Sequence, residues 1–481
     1  MNSEILYIVA ALFLGVFISE YAARQKWINH IISRKLLHLF AGTAVLRIMV
    51  IVEEKELLFW LGVFFTIFLF IIIKFGILKE VNSSGRKSWG IVLFPLSFSI
   101  LIYFSKSDLT SAVLAFSIMT FADAFAAIIG IKFAKKEYYL GKDKKSFLGS
   151  TIFFLTTSLI LVTYFLVINS TISLQTGALI FSISMIITLI EAISSNGSDN
   201  FFVPIFSFIL IQLLIVNEGN SFIVDSIFGF ILGALVAALS NKFRVLTKDG
   251  AIATLILAYF IYGFGGLKWT LPIFTFFILS SLLSRIRHSK NRKVEDRFEK
   301  TGNRDAMQVI ANGGVGLFLV VLNSFFNNEL FYIIFVLYIA VMCADTWATE
   351  IGTYFQAATY NIRTFKIVES GVSGGVSMPG LVGSLAGGMV ILLSSFIWIN
   401  NFVLLAVMLT LSFIGSLIDS FMGATIQVQH KCNICKLVTE KDFHCDQKTD
   451  FYKGLSFINN DSVNFLSGLL TCILFFIWIY S

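Results

Sequence analysis

The chain has 481 residues, 57% hydrophobic and only 14% charged, with 52 Phe. Apolar runs of about twenty residues recur from end to end, the length that crosses about 30 Å of hydrocarbon. This excludes a soluble or disordered chain, and a membrane barrel too, whose strands would be shorter and would alternate. The net charge of +7 resides mostly on the loops between runs, so it describes a membrane face and its attraction to anionic lipid, with nothing further to suggest nucleic acid.

The pattern predicts an all-α polytopic membrane protein of about sixteen spans. The first eight are 4–22, 33–52, 57–74, 89–105, 110–131, 149–168, 174–193 and 200–216. The second eight are 222–240, 250–264, 268–284, 306–324, 330–354, 379–397, 400–424 and 460–480. Only "GFGGLK" (263–268) separates the tenth span from the eleventh. The first span has no basic residue before it and several after it, which suits an uncleaved anchor with its N-terminus outside. Every Lys and Arg except Arg47, Lys55, Lys106 and Lys268 then falls at the opposite, inner face. Sixteen spans put the C-terminus outside as well.

The chain reads as two parallel eight-span halves, 1–216 and 222–481, joined at "NEGNS" (217–221). "ADAFAAIIG" (122–130) and "ADTWATEIG" (344–352) share five residues in one frame. "GRKSW" (85–89) matches "GNRDAMQ" (302–308), and Gly149-Ser150 matches Gly383-Ser384. "LIEA" (189–192) matches "LIDS" (417–420), and "DNFFVP" (199–204) matches "NNDSVNF" (459–465). All these polar groups fall at the predicted inner face. An ionised Asp inside a membrane helix is costly and rarely present without a partner or a task.

In the first half, Asp123 shares its helix face with Ala126, Ala127 and Gly130. The following loop holds six Lys, Lys144 and Lys145 among them, and ends in Ser146 and Gly149 at a helix start. Clustered Lys and a helix N-terminus bind phosphate, and a carboxylate beside them suggests Mg2+ with a polyphosphate. Packing glycines and topogenic lysines are the plain alternative. "SRKLLH" (33–38) adds Arg34, Lys35 and His38, with Arg34 and His38 one turn apart on one face; the His suits a general base for a hydroxyl. Arg86, Lys87, Glu191, Asp199 and Asn200 complete this candidate set. No G-x-x-x-x-G-K-[ST] sequence occurs, so a P-loop NTPase is excluded.

"RKLLH", "ADAFAAIIG", "KKSFLGS" and "DNFFVP" make the first half, to about residue 216, resemble the phytol kinase and dolichol kinase family of CTP-dependent membrane lipid kinases. That resemblance implies transfer of the CTP γ-phosphoryl group to a prenol hydroxyl, with catalytic roles for His38, Asp123 and Lys145. Cytidylyltransferases acting on lipid phosphates carry a related Asp–Lys–Gly pattern.

In the second half, Asp345 and Thr349 share a helix face, while Glu350 lies about 140° round and is a poorer co-ligand for Mg2+. The next loop carries Arg363 and "SGVSGG" (370–375), in which Gly371, Ser373, Gly374 and Gly375 form a candidate anion nest or a mere connector. Arg304, Gln308 and Asn312 form one polar stripe. Lys248, Asp419, Asn460, Asp461 and Asn464 stand at the same predicted face. These motifs, with "TKDGAIAT" (247–254), resemble the phytyl-phosphate kinase family from about residue 225 onward. This implies phosphorylation of a prenyl monophosphate, with Asp345 and Arg304 catalytic. The two halves together would make a salvage kinase that takes a phytol-, geranylgeraniol- or farnesol-type prenol to its diphosphate. A lipid-phosphate cytidylyltransferase and a lipid transporter or flippase are the competing readings.

Five Cys are present; Cys343 and Cys472 lie in spans. The loop 426–459 contains C-x2-C, then His-Cys. Cys432, Cys435 and Cys445 with His444 would fill a tetrahedral, structural Zn2+ site. His430 is an alternative fourth ligand, because adjacent His444 and Cys445 are an awkward pair for one ion. Reduced free thiols are the other reading.

Overall fold

The computed structural model describes every residue except 1–2, 28–29, 76–88, 106–107, 141–142, 217–220, 291–296, 299–302 and 481. The structure is all-α in its membrane part. In hydrocarbon every backbone N–H and C=O must be satisfied within its own segment, and apolar runs of this length achieve that as helices. Among the described residues, twelve helices are long and apolar enough to cross a membrane, and Gly90–Phe104 and Asp199–Ile215 are shorter apolar helices. The chain divides into two compact units, Met1–Ile227 and Phe228–Ser481.

The first unit contains α1 (Ser3–Arg24), α2 (His30–Ile51), α3 (Lys55–Lys74), α4 (Gly90–Phe104), α5 (Thr110–Phe133), α6 (Phe147–Asn169), α7 (Leu174–Ile193) and α8 (Asp199–Val216). Helix α5 packs against α2, α6 and α8, so Asp123 lies in protein rather than against lipid. It is not uniform: Ile118–Ala122 form a π-helical turn just before Asp123.

The second unit includes the greater part of α9 (Ser221–Lys242), then α10 (Lys248–Lys290), α11 (Ala306–Phe326), α12 (Glu329–Phe355), α13 (Met378–Ser395), α14 (Phe402–Thr425) and α15 (Asn460–Tyr480). Gly266 takes φ +59° within "GFGGLK" and splits α10 into two arms, where the sequence suggested separate spans. Helix α12 is the hub, packed by α10, α11, α13, α14 and α15. Every residue from Phe335 to Ala344 is buried, as befits a helix apolar on all faces.

The loops are more ordered than their sequence suggests. An antiparallel hairpin, β1 (Glu137–Leu140) and β2 (Asp143–Ser146), joins α5 to α6. A three-stranded sheet, β3 (Thr359–Asn361), β4 (Ile367–Val368) and β5 (Gly375–Ser377), joins α12 to α13. Each connection follows an Asp helix and ends in the serine that caps the next helix.

Candidate functional sites

Each unit builds its site at the same joint. In the first, Ser146 caps α6 by accepting from the Gly149 N–H (3.0 Å). A Cβ on Gly149 would stand 3.1 Å from the Ala126 carbonyl, and one on Gly130 would stand 2.8 Å from Ser146 Oγ. In the second, Ser377 caps α13 through the Gly380 N–H (3.3 Å). A Cβ on Gly380 would lie 3.0 Å from the Ala348 carbonyl, and one on Gly352 2.9 Å from Ser377 Oγ. The residues facing each Asp are therefore filled by the start of the next helix. The equivalence is Ser146-x-x-Gly149 with Ser377-x-x-Gly380. Pairing Gly149-Ser150 with Gly383-Ser384 is one turn out, because the shared geometry belongs to the cap and not to the Gly-Ser dipeptide.

In the first unit, Lys35 Nζ reaches both oxygens of Asp123, at 2.8 and 2.7 Å. His38 Nε2 lies 3.0 Å from the Met119 carbonyl, inside the π turn, and 3.6 Å from Asp123 Oδ2. A carbonyl only accepts, so Nε2 carries the proton and Nδ1 is the nitrogen left to take one. A cavity of about 260 Å³ is lined by Lys35, His38, Asp123, Asp199 and Asn200 at one end and by apolar side chains of α1, α2, α3 and α4 elsewhere. Asn200 is tied to the fold, donating to the Gly90 carbonyl (2.8 Å).

Lys145, on β2, pairs with Glu191 and donates to its backbone carbonyl (2.8 Å). Burial alone would lower the Lys145 pKa, but the charges of Glu191 and Asp199 win and hold it above its ordinary value. Lys145 therefore stands beside the cavity as half of a buried pair and does not line it. Lys144 turns outward to Glu137 (2.6 Å). Arg86, Lys87 and the Arg34 side chain lie outside the described residues.

Among the described residues, no such lysine lines the second unit's polar cavity. Asp345 and Asp419 are in side-chain contact, and Ser467 Oγ donates to Asp419 Oδ2 (3.0 Å). In the amide orientation that satisfies both its ends, Asn464 also donates to Asp419 Oδ2 (3.1 Å). Glu350 is engaged elsewhere, accepting from Arg287 Nε (2.5 Å) and Ser284 Oγ (2.6 Å). All of these groups except Ser467 line a polar cavity of about 250 Å³ together with Arg304, Gln308, Asn312, Thr349, Gly371, Ser373, Gly374, Gly375, Asn460 and Asp461. Its described lining holds five carboxylates, Asp345, Glu350, Asp419, Glu440 and Asp461, against the guanidinium groups of Arg287 and Arg304. Gly374 needs its φ of +81° and its missing Cβ, which would fall 2.4 Å from the Ala424 side chain.

Arg304, Gln308 and Asn312 also line a second cavity of about 90 Å³, otherwise walled mostly by apolar side chains of α9, α10 and α11, such as Leu257, Ile273 and Phe277. Gln308 has a further duty. It forms a capping box with Asp305, whose N–H donates to Gln308 Oε1 (3.2 Å) while Asp305 Oδ1 accepts from the Gln308 N–H (3.0 Å). Lys248 and Arg363 are exposed and do not line the cavity. Lys248 sits at the N-terminal end of α10, and Arg363 beyond the tip of β3. Sequence reasoning missed Glu440, which accepts from Ser373 Oγ (2.7 Å). It lies in the Cys-rich loop, 67 residues from its partner, and no local pattern joins them.

In that loop the ligand atoms of Cys432, Cys435, His444 and Cys445 lie within 4.8 Å of one another. His444 Nδ1 is 3.5 Å from Cys435 Sγ and 3.2 Å from Cys445 Sγ. Adjacent residues can both turn inward because Cys445 and Asp446 adopt φ +52° and +58°. His430 is placed elsewhere, with Nε2 3.2 Å from Asp442. The backbone N–H groups of Cys435 and Ile434 point at Cys432 and pull its thiol down to about 6.

Residues 231–472 match the family described as integral membrane protein DUF92. The chain is similar to protein PGR of Arabidopsis thaliana, 30% identical over 274 residues, which are 52% of this chain and 94% of that protein. It is similar to the phytol kinase of Synechocystis, 26% identical over 215 residues, 41% of this chain and 86% of that one. Protein VTE6 of Arabidopsis thaliana is 24% identical over 256 residues, covering 52% of this chain and 68% of its own. No solved structure matches the chain.

Proposed function

Because the chain belongs to the DUF92 family of integral membrane proteins and is similar to a phytol kinase, we propose that it is a two-site kinase of isoprenoid lipids. The first unit converts a prenol to its monophosphate, and the second converts the monophosphate to the diphosphate. CTP is the donor and Mg2+ the metal, and both sites face the cytoplasm. The observation that carries this reading is a recurring plan. In each unit a carboxylate on the Asp helix stands at a polar site, with apolar walls in the same cavity or an adjoining one. Such a site suits a lipid whose head reacts and whose tail stays dry.

Transfer of the CTP γ-phosphoryl group to a hydroxyl forms one O–P bond, breaks the bond from the γ-phosphorus to the bridging oxygen so that CDP leaves, and releases the hydroxyl proton. His38 Nδ1 accepts that proton, the Met119 carbonyl holds the ring through Nε2–H, and the Asp123 carboxylate, fixed by Lys35 and 3.6 Å from Nε2, stabilises the imidazolium that forms. Lys145 and the N-terminus of α6 bind nucleotide phosphates. A phosphate monoester is largely dianionic at pH 7 and needs no base. The described lining of the second site accordingly has no histidine, and Gln308 on its polar stripe is already part of a cap.

The residues fit Mg2+ unequally. Half-buried Asp345 and buried Asp419 adjoin in a cavity whose described lining has no lysine, which suits a divalent cation. Asp123 has both oxygens taken by Lys35 and does not fit a metal ligand in this geometry. Bound at the Asp345–Asp419 pair, Mg2+ would neutralise charge on the transferring phosphoryl group. Arg304, at the junction of the two cavities, orients the acceptor phosphate with the tail toward the apolar slot.

The test is the purified protein in lipid nanodiscs with Mg2+, a series of prenols and γ-labelled CTP, UTP or ATP. Labelled monophosphate followed by diphosphate is expected. Absence of label in lipid with every nucleotide and prenol would sink the reading. Release of pyrophosphate with nucleotide joined to lipid would make it a cytidylyltransferase.

A further inference from the structure

We propose that Cys432, Cys435, His444 and Cys445 hold one structural zinc ion that clamps the Cys-rich loop onto the Gly-rich segment 370–375. Tetrahedral zinc with bonds of about 2.3 Å to sulfur and about 2.0 Å to nitrogen places its ligand atoms about 3.5–3.8 Å apart. The four ligand atoms already gather within 4.8 Å, and the two His444 contacts measure 3.5 and 3.2 Å. Three thiols and an imidazole are a donor set for zinc and not for Mg2+. All four positions are filled, so the ion has no open place for water or substrate and is structural.

An observation independent of that gathering points the same way. The loop lacks a core of its own. Between residues 426 and 459 the buried apolar side chains among the described residues are Cys432 and Ile458, while Phe443, Phe451, Tyr452 and Phe457 are exposed. A segment of this size with so little apolar burial needs a covalent or metal staple to hold one shape.

The shape matters at the polar cavity. From Cys432 the chain turns back, with the Cys432 N–H donating to the Leu437 carbonyl (2.9 Å), and runs through Val438–Thr439 directly into Glu440. Glu440 Oε1 accepts from Ser373 Oγ and from Gln427 Nε2, each at 2.7 Å. The zinc therefore fixes Glu440, and Glu440 fixes Ser373 in the Gly-rich segment that lines the cavity. Zinc binding does not depend on the kinase reading; the functional weight of the clamp does.

The full chain is purified in detergent without chelator and assayed for metal by mass spectrometry. About one zinc per chain is expected, falling at least tenfold in Cys432→Ser and His444→Ala but not in His430→Ala or Cys343→Ser. Since a Cys variant could fail to fold, the intact protein is also exchanged with Co2+, which should give the visible bands of tetrahedral thiolate ligation. No bound zinc together with no such bands overturns the site. Hydrogen exchange at residues 370–375 reads the clamp without any activity assay. Zinc removal and Glu440→Ala should each speed it about tenfold, the latter with zinc retained. Unchanged exchange in both overturns the clamp.

Discussion

The Asp123 and Asp345 sites share a helix, a cap and a pair of close-packed glycines, yet they solve the problem of a buried carboxylate in opposite ways. Asp123 is neutralised within the protein by Lys35. Asp345 is set beside a second carboxylate, Asp419, and its cavity is rich in acids. A buried charge must be paired or must hold a cation. On the proposed reading the first site balances its carboxylate with its own residues, while the second would be balanced by a bound cation. The two units share the geometry of the backbone joint and differ in charge balance.

The comparison is broken most directly at Asp345. Asp345→Asn should slow conversion of supplied prenyl monophosphate by about a thousandfold, on the order of 4 kcal/mol, as loss of a metal ligand does. Single-turnover kinetics with saturating Mg2+ would show it, and monophosphate formation from prenol should be unchanged. Asp123→Asn should do the reverse; if either variant lost both steps while folded, the two sites would not be separate.

Lys35→Met tests self-sufficiency. It leaves Asp123 buried without its ammonium and should destabilise the first unit by about 3 kcal/mol. Lys35→Met with Asp123→Asn should recover much of that, as read by thermal unfolding in nanodiscs. His38→Ala should slow the prenol step by about a hundredfold and flatten its pH profile. Gln308→Ala, which removes half of a capping box, should cost about 1 kcal/mol of stability and little rate in the monophosphate step.

The smallest expected differences sharpen the likeness. Gly130→Ala and Gly352→Ala each drive a methyl into a capping serine at 2.8 and 2.9 Å. Each should destabilise its own unit by about 1–2 kcal/mol, and by similar amounts. Unequal losses would mean the two joints are less alike than their distances suggest.

Much of this was legible in the residues. Long apolar runs fix helices because hydrocarbon offers the backbone no other partner, and "GFGGLK" marked its break because glycine alone tolerates the turn. The repeated Asp frame pointed to the two helices whose Asp residues line the cavities. The pairing was harder. Arg34 and His38 stand at i and i+4, but Lys35 and His38, at i and i+3, share a face equally well, and only α5 lying against α2 selects Lys35. The strands between helices were invisible because two to four residues carry no readable period. Glu440 takes its meaning from a contact far along the chain, which no local pattern encodes.

The small apolar slot beside Arg304 has a consequence for how a tail would be measured. Its volume of about 90 Å³ is below the ~150 Å³ of a cavity that takes a single benzene. On the proposed reading, only the carbons nearest the phosphate are gripped, and the remainder must leave between helices into the bilayer. Such an enzyme would inspect the first carbons for branching and unsaturation while remaining blind to where the chain ends. Membrane lipid would serve as the rest of its binding site.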